Sequence, residues 1–141
     1  MFHDLVSEPG TRTGDELHAA LAAELRAAVE SAGVEHVRAE TDLDAATVEA
    51  LAAGETPELT LEEAASVLAV TEGASAGDIV ALSRDALMMG MSRAVLDVDL
   101  LAAEAGGDLE PREIQSKIEG RFPMTLREFA LLHATIQSRI E

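Results

Sequence analysis

The chain has 141 residues, enough for one ordinary domain or two small ones, and its 27 acidic residues against 10 basic ones give a formal net charge of −17. Hydrophobic residues make up 48% of the chain but aromatic residues only 2%, so a core has to be built from Ala, Leu, Val, Ile and Met. The absence of Cys excludes disulfides, thiolate catalysis and Cys-ligated metal sites.

The acidic surplus has two interpretations. It is either a specific feature, such as a nucleic-acid mimic or a patch for a basic partner, or the surface of a protein from an extreme halophile. In the second case carboxylates hold hydration while molar salt screens their mutual repulsion. The even spread of acidic residues and the presence of a single Lys, Lys117, favour the halophile.

The beginning of the chain, MFHDLVSEPG, has neither a basic start nor an apolar core, so we do not predict a signal peptide. The longest near-apolar run, around residues 86–91, is far too short to cross a bilayer. We therefore predict a cytoplasmic protein with no membrane association.

The first half of the chain is predicted to be a tail followed by four helices. Residues 1–12 form a loose tail from which Phe2, Leu5 and Val6 can dock onto the body. A capping box at Thr13 opens an amphipathic helix that runs to about residue 32. Further helices are predicted over residues 34–40, 45–53 and 61–70.

The second half follows a Gly-rich break and contains four more predicted helices. These cover residues 76–96, 98–105, 110–119 and 125 to the C-terminus. The first of them has a broad apolar stripe, which is typical of a central helix or of a helix buried against a second copy. No stretch alternates with period two, so no sheet is predicted.

Two stretches of the chain, residues 44–70 and 110–135, have the same plan. Each contains a short helix that ends at Gly, a turn with Pro, and a Thr-Leu-x-Glu-x-Ala helix start. The two threonines, Thr60 and Thr125, are 65 positions apart. A fixed offset of this kind indicates an internal duplication.

The order of elements in residues 17–70 resembles the lambda-repressor-like helix-turn-helix family. Leu25-Arg26 matches the Leu-Arg of that family's first helix, and Gly54 matches the Gly that ends its recognition helix. Residues 97–135 look like a second, degenerate copy. The overall composition also resembles an uncharacterised family of small haloarchaeal proteins.

The resemblance implies an all-α fold of seven or eight short helices. These are arranged as two helix-turn-helix-like halves, residues 13–72 and 75–141, around the helix that starts at residue 76. It also implies a non-enzymatic regulator that binds DNA.

The recognition-helix position of the first copy carries Asp44, Ala45, Ala46, Thr47 and Glu49. These residues offer no positive charge, and carboxylates repel phosphate. Bases are usually read by Arg, Lys, Asn or Gln near the start of such a helix, and none is present there. We expect this helix to serve packing alone.

The second copy is better equipped for nucleic acid, and we predict its contacts at residues 110–119 and just beyond. The candidate residues are Arg112, Gln115, Ser116, Lys117 and Arg121. The alternative is a solvated polar face in which these cations pair with neighbouring glutamates.

A methionine cluster on the helix over residues 76–96 is the second candidate surface. Met88, Met89 and Met91 either form an adaptable interface or fill gaps in a core short of aromatics. We predict homodimerisation through this helix. Gly90 allows another helix to approach closely in both cases.

The remaining chemistry gives little indication of catalysis. His36 and Glu40 are one helical turn apart, but two ligands do not make a metal site, so we predict no metal and no cofactor. No nucleophile elbow or phosphate loop is present. The alternatives to a DNA-binding regulator are a protein–protein interaction or dimerisation module that has lost DNA contact, and an enzyme of unknown reaction.

Overall fold

A computed structural model describes residues 1–140, and within them it shows eight α-helices and no strand. The helices are α1 (Gly14–Ala32), α2 (Val34–Glu40), α3 (Ala45–Ala52), α4 (Leu61–Thr71), α5 (Ala76–Ala94), α6 (Val98–Glu104), α7 (Pro111–Ile118) and α8 (Leu126–Ile140). A short 3-10 turn at Pro9–Thr11 precedes them. The predicted all-α class is confirmed.

The helices begin where side chains satisfy the first free backbone amides. Thr13 and Thr60 both form complete capping boxes, in which the hydroxyl accepts from the amide of the Glu three residues later and that Glu accepts from the Thr amide. Ser75 accepts from the amide of Asp78 and begins α5. Local capping therefore explains why the helix bounds follow the sequence so closely.

The two halves of the chain have matching helices. The first helix of each half has 19 residues, the second 7 and the third 8. The packing matches as well, because α1 and α5 each contact both α4 and α8. We expected the second copy to cover only residues 97–135, but the structure shows that it starts at α5, the counterpart of α1.

The core consists of the inward faces of all eight described helices. The N-terminal segment is part of this packing and not a loose tail. Phe2 is buried, its amide donates to the Ser83 hydroxyl at 3.3 Å, and its ring lies 6.2 Å from that of Phe129. The docking expected for Phe2 is therefore confirmed.

Candidate interaction surfaces

Helix α7 presents the predicted nucleic-acid residues in two different environments. Ile114 and Ile118 are buried, which turns Arg112 and Gln115 outward into solvent. The periodicity of an α-helix accounts for this division between apolar and polar side chains. Ser116, one turn after Arg112, is largely buried but lines a groove together with Arg112 and Glu113.

Lys117 is held inside the protein by two carboxylates. Its ammonium donates to Glu128 of α8 and lies 3.6 Å from Glu113 of α7. Its side chain is only 16% exposed. Lys117 was predicted to contact nucleic acid, but in the structure its ion pairs link α7 to α8.

The other candidates on this surface differ in how their polar groups are used. The amide of Gln115 donates to Glu119 at 3.2 Å, and the guanidinium of Arg121 lies 2.7 Å from the same carboxylate. Arg112 forms no ion pair with any residue of the described chain. Arg112 is therefore the one candidate cation on this surface that the described residues leave unpaired.

Phe122, an exposed aromatic residue beside α7, was not predicted as part of this surface. Phe122 is 62% exposed, and together with Pro123 it forms the apolar wall of a groove whose other side includes Arg112 and Glu113. The sequence contains only three Phe residues, and the position of Phe122 two residues after Gly120, in a turn, could have indicated its exposure.

The positions of the first half that match the candidate residues of the second half carry no cation. The positions that match Arg112 and Gln115 are Ala46 and Glu49, and both are exposed. Asp44 caps α3 by accepting from the amide of Thr47 at 2.8 Å, and hydrogen bonding to Thr47 holds the pKa of Asp44 below its ordinary value. A carboxylate stabilised in its charged form at this helix end repels phosphate.

The outer face of α5 is the second candidate surface, and it is largely apolar at its centre. Met89 is 66% exposed and Met88 is 42% exposed. Leu82, two turns before Met89, is also exposed and was not predicted. Met91 is partly buried and packs against the core, so of the three predicted interface methionines two lie on the surface.

Two charged residues flank Met89 on α5, each one turn away. Asp85 and Arg93 are both exposed, and neither forms an ion pair within residues 1–140. Neither residue was predicted, although their spacing of four on either side of Met89 is visible in the sequence.

Gly90 serves packing inside the chain. A Cβ at Gly90 would lie 2.8 Å from Cγ2 of Ile136, so the absence of a side chain lets α8 pack closely on α5. The expected close helix approach is confirmed, and the approaching helix belongs to the same chain.

A groove of about 460 Å³ lies along one side of α5, between this helix, α8 and the N-terminal segment. Ala86, Met89 and Arg93 of α5 line it on one side. On the other side the ring nitrogen Nε2 of His133 lies 3.1 Å from the carbonyl oxygen of His3. The groove therefore adjoins the outer face of α5.

Among residues 1–140, no group of three or more His, Asp or Glu side chains is placed to hold a metal ion. His36 and Glu40 line a small depression next to α4, without a third ligand. No helix in the described chain is long and apolar enough to cross a membrane.

Comparison with known proteins identifies the family of the chain. Neither a curated protein nor a solved structure matches the chain. Residues 17–139 match a family described as a family of unknown function, DUF5791, and the match extends over both halves of the duplication. The chain belongs to this family.

Proposed function

We propose that the protein is a cytoplasmic, non-enzymatic protein-binding module, built from two helix-turn-helix-like halves that have lost DNA contact. It binds its partner through the outer face of α5. The observation that carries this proposal is the exposure of Leu82, Met88 and Met89 on one helix of a chain whose net charge is −17.

Exposed apolar residues scattered singly are ordinary, but a group of them on one helix face marks an interaction surface. Methionine suits such a surface because its unbranched, polarizable side chain adapts to the shape of a partner. Apolar association is also stronger in concentrated solutions of salts that are excluded from the protein surface, because such salts favour the burial of apolar groups.

The loss of DNA contact is supported by the ion pairs of α7. Glu113 and Glu128 hold Lys117, and Glu119 holds Arg121, so these cations are already neutralised. Arg112 alone would face the phosphates, next to the carboxylates of α7. In molar salt counterion release contributes little to the binding free energy, so affinity would rest on that one cation.

The proposal is tested by photo-cross-linking in cells. Replacing Met89 with a benzophenone-bearing residue is expected to yield covalent adducts with protein. The same residue at Arg112, which is also exposed, is the matched control and is expected to yield none. A Met89 variant without adducts, at normal expression, would contradict the proposal.

A DNA-binding regulator is the second candidate function, and the exposure of Arg112 and Gln115 on one face of α7 favours it. Its test is the capture of genomic DNA fragments by the tagged protein in molar KCl, beside an Arg112→Ala/Gln115→Ala variant. We expect no enriched sites with either protein. Discrete sites that disappear in the variant would establish DNA binding and overturn the loss of DNA contact.

A further inference from the structure

We propose that the partner at the outer face of α5 is a second copy of this chain. The two α5 helices run in opposite directions and cross at about −50° around a two-fold axis at Met89, so that Asp85 of each copy lies beside Arg93 of the other. This inference rests on the proposed function, because it names the partner of the same surface.

Asp85, Met89 and Arg93 are spaced at intervals of four residues, and this spacing makes the outer face of α5 self-complementary. Four residues advance an α-helix by about 6 Å and turn it by about 40°. Asp85 therefore lies one turn before Met89 and about 40° to one side, and Arg93 lies one turn after it and about 40° to the other side. Asp85, Met89 and Arg93 thus form one i±4 row on the helix surface. When the two helices cross at about −50°, this row of each copy runs beside the same row of the other in the opposite direction, and Asp85 of one copy lies beside Arg93 of the other.

The charges of these residues indicate a second copy rather than another partner. Asp85 and Arg93 are exposed and form no ion pair within the described chain, so both are available. Two chains of net charge −17 repel each other wherever acidic surfaces meet. The segment from Asp85 to Arg93 carries one charge of each sign, and the rotation pairs both charges twice, as an isologous interface requires.

The decisive experiment uses two variants with opposite charge changes. Asp85→Arg leaves α5 with arginines at both positions, and Arg93→Asp leaves aspartates at both positions. Each variant alone brings like charges together, and we expect its dimer dissociation constant to rise at least about tenfold. Mixed with each other, the two variants have opposite charges at every contact and are expected to form a heterodimer.

Light scattering and native mass spectrometry in molar KCl measure these outcomes. Wild-type dimers, weakened dimers of each variant, and a restored heterodimer support the proposal. A monomeric wild-type protein would overturn it, and so would single variants that dimerise as well as the wild type. Unchanged circular dichroism of the two variants establishes that the exposed substitutions leave the fold intact.

A second pair of variants locates the axis. Met89→Asp brings two carboxylates together on the two-fold axis and is expected to abolish the dimer, whereas Phe122→Asp, on another surface, leaves it intact. Equal effects of the two variants would contradict the axis at Met89. The mass of the photo-adduct at Met89 distinguishes the two proposals. An adduct of twice the chain mass supports the dimer. If all adducts have other masses, the outer face of α5 still binds protein, but self-association is overturned.

Discussion

Thr60 and Thr125 lie opposite each other in an antiparallel bridge that joins the two halves of the chain. The amide of Leu61 donates to the carbonyl of Met124 at 2.7 Å, and the amide of Leu126 donates to the carbonyl of Leu59 at 2.8 Å. Exchanging α4 with α8 converts one hydrogen bond into the other. The bridge therefore lies on the approximate two-fold axis of the duplication, where backbone groups at two helix starts satisfy each other.

The two threonines are expected to contribute equally to stability. Thr60→Ala and Thr125→Ala each remove a capping hydroxyl while leaving the backbone bridge in place, and each lowers the free energy of unfolding by about 1 kcal/mol. Denaturant titration in molar KCl measures this, with the exposed Ser31→Ala as a control that stays within about 0.5 kcal/mol of wild type. A Thr125→Ala variant as stable as that control would contradict the capping role.

Local residue chemistry makes the helices predictable from the sequence. Pro111 fits the first position of α7, and Gly120 adopts a positive φ of 81° just beyond its end. Such signals act within a few residues, so one sequence is enough to detect them. Contacts between distant parts of the chain carry no local signal, which is why the bridge at Thr60 and the ion pair of Arg84 with Glu62, at 2.8 Å, were not predicted.

The candidate surfaces show the same division. Helical periodicity places Arg112 and Gln115 on the outward face of α7, as predicted. The partner of Lys117, in contrast, is Glu128 on the following helix, and only the packing of α8 on the rest of the chain brings the two together. A charged residue's availability to a ligand depends on such tertiary partners, which spacing within one helix does not reveal.

Lys117 is expected to be a structural residue. Lys117→Ala leaves Glu128, which is only 18% exposed, without its partner, and we expect a loss of roughly 1–3 kcal/mol in the free energy of unfolding. Arg112→Ala on the same helix changes an exposed, unpaired side chain and is expected to be neutral. Thermal unfolding of both variants under one salt condition provides the comparison. Equal stabilities would show that the Lys117 ion pairs contribute nothing.

Gly90 is expected to resist substitution despite its position inside a helix. Ala in a helix is favoured over Gly by about 0.5–1 kcal/mol, but overpacking a core costs about 1–3 kcal/mol. Because a Cβ at Gly90 would lie 2.8 Å from the stiff, buried Ile136, the overpacking term dominates and Gly90→Ala destabilises the fold. Gly77→Ala in the same helix meets nothing closer than 4.0 Å and is the control, expected to be stabilising. Stabilisation by both substitutions would contradict the close packing of α8.

His18 is expected to weaken the fold in mildly acidic solution. Burial lowers the pKa of His18 below its ordinary value of 6.5, and Arg127 lowers it further, while Glu58 and Asp15 act against this. Below pH 6.5 the unfolded chain therefore takes up a proton that the folded chain refuses, so stability falls with pH until the folded pKa is reached. The difference in unfolding free energy between the wild type and His18→Gln isolates this contribution. A difference that does not change with pH would contradict it.

Val95 occupies a position at which the first half of the chain has a glycine. Val95 follows α5 in the left-handed region, with φ 56° and ψ 49°, and Gly33 follows α1 with φ 91°. A β-branched residue is strained in this region, by about 1–2 kcal/mol, and Val95 recovers nothing by burial because it is 84% exposed.

Relief of this strain is expected to exceed the added backbone entropy of a glycine, so Val95→Gly raises the free energy of unfolding by about 1 kcal/mol. The reciprocal substitution Gly33→Ala, which forces a side chain into a positive φ, is expected to lower it by about 1–3 kcal/mol. Both are measured by denaturant titration of the same preparations. A Val95→Gly protein less stable than wild type would show that Val95 makes a stabilising contact, as it would if the surface beyond α5 were covered in solution.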